Sequence, residues 1–193
     1  MQKNLIIIAL ALVLAVGLGL AFVPASQSLP AAEYAAWVNN PENGLKQGAS
    51  TGSIQLTALY KPLDFIVLQE ADVAVLSNQE ALNTRKQALS ELQYYEVQVA
   101  SHIGTDATFQ QFLGTLQEQI SLLDGSDSLA CVLYHHEPSM GVKPHETLLL
   151  GFFRTNSKND KTLLIDLSQL GQGVTALHFE ASALANLPKL STL

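Results

Sequence analysis

Cysteine is almost missing from this 193-residue chain, and Cys131 is its single thiol. No disulfide can form within one molecule, so stability must come from a buried core. The same scarcity argues against a bacterial lipoprotein, whose lipid is attached to a cysteine directly after the export signal. Charge is sparse too: 10 Lys and Arg stand against 17 Asp and Glu, for a net charge of −7. The cations are scattered, and no basic stripe could neutralise a phosphate backbone or an anionic lipid surface, so no nucleic-acid partner is expected. G-x-S-x-G, P-loop and dinucleotide fingerprints are also missing. Serine hydrolases, nucleotide hydrolases and Rossmann dehydrogenases therefore find no support, and no internal repeat or low-complexity tract appears.

What is present starts at the N-terminus. Lys3 precedes an uncharged apolar run from Leu5 to Val23, and Val23-Pro24-Ala25 offers small residues where a signal peptidase cuts. Residues 1–25 are predicted to be a signal peptide or, uncleaved, a membrane anchor, since a span needs roughly 20 apolar residues. Pro24 and the polar Ser26-Gln27-Ser28 favour cleavage. Either outcome predicts export to the periplasm or cell envelope, with membrane contact only through this segment. Residues 26–193 then have the length of one domain able to bury its own core.

Pro30 is placed to start a helix with Ala31, Tyr34, Trp37 and Val38 on one face, and "NNPENG" stops it. "GSIQLTALY" (52–60) alternates as a half-buried strand does, while "LDFIVLQE" reads as a short helix after Pro62. Ser77 and Glu80 form a capping-box pattern, predicting a helix to about Leu92 with Ala81, Leu82, Ala88, Leu89 and Leu92 inward. "QYYEVQVAS" follows as a strand with Tyr94 and Tyr95 on opposite faces. Phe109, Phe112, Leu113, Leu116, Ile120 and Leu123 keep helical spacing, predicting a helix from Thr105 to Leu123 capped by Asp124-Gly125. "SLACVLYHH", "ETLLLGFFR", "KTLLIDL" and "VTALHFE" then read as four strands of an antiparallel meander, with a last helical turn before Pro188. The fold class is α+β: a mostly antiparallel sheet with a C-terminal meander and helices packed on one face.

One stretch is rich in chemistry-bearing side chains, "YHHEPSMGVKPHE" at 134–146. An undistorted strand turns His135 and His136 to opposite faces, with Leu129, Cys131, Leu133 and His135 sharing one of them. A metal site would need one of the pair together with His145 and Glu137 or Glu146, a donor set that suits zinc. The spacing matches no established arrangement, and the polar end of a hairpin accounts for the same residues. Cys131 lies in "LACVL" and reads as a buried thiol rather than a nucleophile. His102 and His178 are isolated and suit structural hydrogen bonds. The pairs Glu70/Asp72 and Asp124/Asp127 sit in loops or at helix ends, where separation in space decides any role.

The strings "EYAAWVNNPENGLKQ" (33–47), "LYKPLDFIVLQE" (59–70), "CVLYHHEPSMGVKPHETLLLGF" (131–152) and "FEASALANLPKL" (179–190) carry a resemblance. With their Tyr-x-x-Trp-Val, Asn-Gly-Leu, Tyr-x-Pro and Leu-Pro-x-Leu elements, they resemble a loosely defined family of small exported proteins of the Bacteroidetes group. Many members of that family look like lipoproteins, and this chain departs from them by lacking the cysteine. It also has Glu137-Pro138 where a Glu-Arg pair is common, so no role of that arginine carries over. The resemblance implies the compartment and no reaction, cofactor or catalytic residue. The expectation is an exported, non-catalytic envelope protein without a cofactor, acting through a protein partner or a small ligand. Outer strands of the meander would be its docking edges. The alternatives are a metal-binding protein or metal-dependent hydrolase using His135, His136 and His145, and a structural subunit of a larger envelope assembly.

Overall fold

The computed structural model describes residues 27–101, 107–140 and 142–191. The predicted leader, His102 and the Thr105 start of the long predicted helix lie outside them. The first element, β1 (Ser28–Leu29), is two residues long, and Pro30 then starts α1 (Ala31–Asn39) by accepting the Tyr34 N–H at 2.8 Å. Tyr34 and Val38 are fully buried one turn apart, with Trp37 half-buried beside them, as the apolar spacing predicts. Asn40 caps a 3-10 turn at Pro41–Asn43, and Gly44 ends it at φ 73°.

A hairpin of β2 (Lys46–Thr51) and β3 (Ile54–Lys61) follows. β3 buries Ile54, Leu56, Ala58 and Tyr60, the predicted alternation. β2 carries no such pattern, because Ala49 is its one aliphatic residue, and partnership with β3 defines it instead. Three helices come next: α2 (Leu63–Glu70), α3 (Val73–Leu76) and α4 (Gln79–Leu89). Asn78, not Ser77, caps α4 by accepting from the Glu80 and Ala81 N–H groups. Ser77 donates to the Val73 carbonyl instead. Leu82 is buried, but Ala88 is exposed, and Leu92 opens β4 (Leu92–Ser101) rather than closing the helix.

The predicted helix from Thr105 to Leu123 is cut short. α5 (Ala107–Thr115) and a 3-10 turn at Leu116–Gln119 bury Phe109, Phe112, Leu113 and Leu116, and the chain then becomes β5 (Ile120–Asp124). "ISLLD" satisfies a period of two as well as of 3.6, and Asp-Gly is also the strongest short hairpin signal. Gly125, at φ 62°, is therefore a turn residue between β5 and β6 (Asp127–Ala130), not a helix cap.

The predicted meander is divided between two sheets. β7 (Leu133–Glu137) and β8 (Glu146–Phe153) join a five-stranded sheet of order β2-β3-β4-β8-β7. β9 (Lys161–Asp166) and β10 (Val174–Phe179) instead complete a four-stranded sheet of order β10-β9-β5-β6. The predicted strand "SLACVLYHH" is broken at Cys131-Val132, where the chain passes from β6 in one sheet to β7 in the other. On the opposite side β2 lies against β10, and Thr51 and Thr175 share a hydroxyl hydrogen bond of 2.8 Å. After α6 (Ala181–Ala185), β11 (Lys189–Leu190) pairs in parallel with β1.

Both sheets turn their inner faces to one core that runs from Leu29 to Leu190. Tyr95 is its hub, meeting Tyr60 at 5.4 Å, Phe152 at 5.8 Å and Phe179 at 5.2 Å between ring centres, all edge-to-face. Such pairs add roughly 0.5–1.5 kcal/mol each beyond area burial. Phe152→Ala is expected to cost about 3–5 kcal/mol in urea unfolding. Val174→Ala, at an exposed position, should stay within about 0.5 kcal/mol.

Candidate functional site

β7 and β8 bring the histidine-rich stretch together. Tyr134 and His136 stand opposite the buried Leu150 and Leu148 and share their face, while His135 is exposed on the other. The break at Cys131-Val132 shifts the alternation, so buried Cys131 does not share a face with Leu133 and His135, as an unbroken strand would require. The inner group is His136, Glu146 and Ser139. Glu146 is buried, and its Oε2 accepts from His136 Nε2 at 2.9 Å and from the Ser139 N–H at 2.8 Å. Its Oε1 accepts the Ser139 hydroxyl at 2.7 Å. Burial pushes the Glu146 carboxyl up, but the bonds from Ser139 and His136 outweigh it and hold the group below its usual range.

A serine, a histidine and a glutamate within hydrogen-bonding distance suggest nucleophilic catalysis, yet their order is wrong for it. Activation requires the imidazole between hydroxyl and carboxylate, taking the proton from one and held by the other. Here the carboxylate is in the middle, and the hydroxyl donates to a weak base. The arrangement fastens a turn: Ser139 is pinned, and next to it Met140 takes the left-handed backbone (φ 51°) with its side chain almost fully exposed. His145 is half-buried beside Glu146. Among the described residues no group of three His, Cys, Asp or Glu is placed to hold a metal ion.

The second polar cluster was not legible in the sequence. Asp124, the last residue of β5, is buried against Lys161 of β9, with Nζ at 2.5 Å from Oδ2. Thr155 and Ser157, in the loop after β8, both donate to the same carboxylate. Ser157 Oγ also lies 2.8 Å from Lys161 Nζ, the spacing of a Ser–Lys nucleophile pair. Here the same amine is also paired with the Asp124 carboxylate. Burial raises the Asp124 carboxyl, but the bonds from Lys161, Ser157 and Thr155 prevail and lower it.

The remaining candidates are dispersed. Cys131 is buried, donates to the Leu133 carbonyl at 3.0 Å, and has its thiol pushed up by burial, opposite to the lowered value a nucleophile needs. Glu70 pairs with Arg85 on the surface and Asp72 caps α3, so that acidic pair has separate duties. Thr162, His178 and Asp160 form a line with the imidazole in the middle, at 3.1 and 3.7 Å. It borders a groove of about 510 Å³. His178 and Asp160 are more than half exposed, and solvent screens any coupling between them. Comparison with family models, curated proteins and solved structures found no match for the chain.

Asp124→Asn should cost about 3–5 kcal/mol, because Lys161 stays buried without a counter-charge. Asp124→Leu with Lys161→Met should recover most of that loss in the same urea titration. Both lowered carboxyls also set the acid limb of stability. A carboxyl with a depressed folded-state pKa stabilises above its unfolded value, about 4.3 for Glu and 3.9 for Asp, and that gain is lost as pH falls through the folded value. Tm should therefore decline below about pH 5. Glu146→Gln should lower Tm at pH 7 and make the decline shallower.

Proposed function

We propose that the protein is an exported envelope protein that works by binding, taking an extended segment of a partner protein along the free edge of β6. One observation carries this reading. Of the four outer strands of the two large sheets, β2 and β10 lie against each other, whereas among the described strands β6 pairs with β5 alone and β7 with β8 alone. Its two-residue hairpin closes on the pair Asp124–Asp127. In an antiparallel ladder the backbone groups of Ser128 and Ala130 then point away from β5. Both residues are small and exposed, and neither proline nor lysine guards the edge as in strands that avoid partners. Strand addition supplies affinity through such backbone groups.

Export is supported by the sequence: the cation at Lys3, the run from Leu5 to Val23 and the small residues before Ser26. The resemblance to exported Bacteroidetes proteins supports the same compartment. No described helix is long and apolar enough to cross a membrane. The engagement of Glu146 by Ser139 and His136, and of Asp124 by Thr155, Ser157 and Lys161, favours binding over catalysis.

The test is capture of a partner from the envelope of the source cell by residues 26–193. Ser128→Pro deletes an outward N–H while sparing the β5 ladder. It should abolish capture and leave Tm within a few degrees. Turnover of a substrate by the purified domain, lost through changes in one cleft, would refute the reading. A zinc-dependent rise in Tm that vanishes when His135, His136 and His145 all become Ala would favour the metal alternative.

A further inference from the structure

A groove of about 540 Å³ lies between α4 and β11. Its α4 wall is a polar stripe: Gln79, Asn83 and Lys86 are spaced four and then three residues apart, on one face of the helix. Lys189 of β11 and the following Ser191 supply the opposite wall. Asp64 of α2 ties the two together, with Oδ1 at 2.6 Å from Lys86 Nζ and Oδ2 accepting the Leu190 N–H at 2.9 Å. Leu190, itself buried, is the one apolar residue in the lining.

The bonds within this wall use up acceptors and leave donors. Both Asp64 oxygens are engaged, and Asn83 Oδ1 accepts from Gln79 Nε2 at 3.0 Å. The Asn83 amide N–H groups stay free of any described partner, and the ammonium of Lys86 keeps N–H groups beyond the one given to Asp64. Lys189 is exposed and has no ion pair among the described residues. Since Asp64 answers Lys86, the groove holds one cation in excess.

A donor-rich groove with one unanswered cation fits a ligand rich in oxygen acceptors and carrying a negative charge. Its volume is that of a small-molecule site, about 300–1,000 Å³, and far exceeds what a simple ion fills. The groups that favour phosphate are missing: the lining has no arginine fork, and the Leu190 N–H is already spent on Asp64. A neutral sugar would find no aromatic face to rest on. We propose that this groove binds a small hydroxylated carboxylate of the sugar-acid class, with Lys189 taking the carboxylate and Asn83 and Lys86 taking hydroxyl oxygens. The site shares no residue with the β6 edge, so it goes beyond the strand-addition reading and does not depend on it.

Such a ligand bridges α4 and β11, and the effect should reach the backbone. The β1–β11 pair is two residues long, so its bonds from the Lys189 N–H to the Gln27 carbonyl and from the Ser191 N–H to the Leu29 carbonyl open locally at low cost. A molecule held by Lys189 on one side and Asn83 on the other opposes that opening.

The test uses the full chain in a mild non-ionic detergent, titrated calorimetrically with glucuronate, and with glucose and inorganic phosphate as comparators. Glucuronate should bind with a Kd below about 1 mM. Lys189→Gln should weaken it at least about tenfold, the loss of one charge-assisted hydrogen bond. Because Lys189 is exposed and unpaired, that variant should keep its Tm within about two degrees. Asn83→Ala should weaken binding by a smaller factor. Lys86→Gln is a poor choice, since it strips Asp64 of its counter-charge. Hydrogen exchange locates the site: saturating glucuronate should slow exchange of the Lys189 and Ser191 amides in the parent and leave them unchanged in Lys189→Gln. Absence of glucuronate binding at 20 mM (about twentyfold above the expected Kd), or equal affinity in parent and Lys189→Gln, would overturn the proposal. Glucose or phosphate binding as tightly as glucuronate would overturn the ligand class. Ser128→Pro should bind glucuronate as the parent does, whatever becomes of partner capture.

Discussion

Between Ala130 and Leu133 the chain leaves one sheet and enters the other, and the backbone groups it turns loose there are taken up at once. The Val132 N–H donates to the Gly151 carbonyl at 2.9 Å, and the Gln117 side-chain amide donates to the Cys131 carbonyl at 3.1 Å. Each group would cost about 1–3 kcal/mol if buried without a partner. This crossing makes the two sheets share one interior. It sets β6 on one outer edge and β7 on another, and it shifts the alternation that turns His136 in and leaves His135 out. Gly151 makes the passage possible, because a Cβ there would stand 2.9 Å from the Leu133 Cβ and 3.1 Å from Leu92 Cδ1.

The two buried carboxylates share one logic. Glu146 opens β8 and Asp124 lies across from the loop that follows it, so the chain leaves β8 at either end into a segment fastened by a charged acceptor. Hydrogen bonds to an ionised group are about twice as strong as neutral ones. A short loop can thus be held by one side chain without an apolar core of its own. The same bonds commit both carboxylates to holding loops in place.

Much of the scaffold was readable because its signals were redundant. β3 combines strict alternation with Pro62 at its end, and α1 combines Pro30, a one-faced stripe and a Pro–Gly stop. Where two periods fitted the same residues, reading by periodicity erred: Ile120 and Leu123 continue a helical stripe, yet Ile120, Leu122 and Asp124 also alternate. β2 escaped notice because a strand at a sheet edge need not be apolar. The pairing His136–Glu146 lay within a stretch already singled out, weighed as a metal site against the polar end of a hairpin, but the fastening of the turn by Glu146 was not foreseen. Asp124 and Lys161 are 37 positions apart, and only the β5–β9 register brings them together. Nothing in their neighbours marks either as buried.

The pairing of β1 with β11 also brings the two ends of the described fold together. Gln27 and Ser191 flank a parallel pair only two residues long, so about five residues would span from one to the other. New ends could then be opened at Gly125-Ser126, an exposed hairpin tip whose strand β5 is also paired with β9. The fold is in that sense a ring whose seam is the β1–β11 pair.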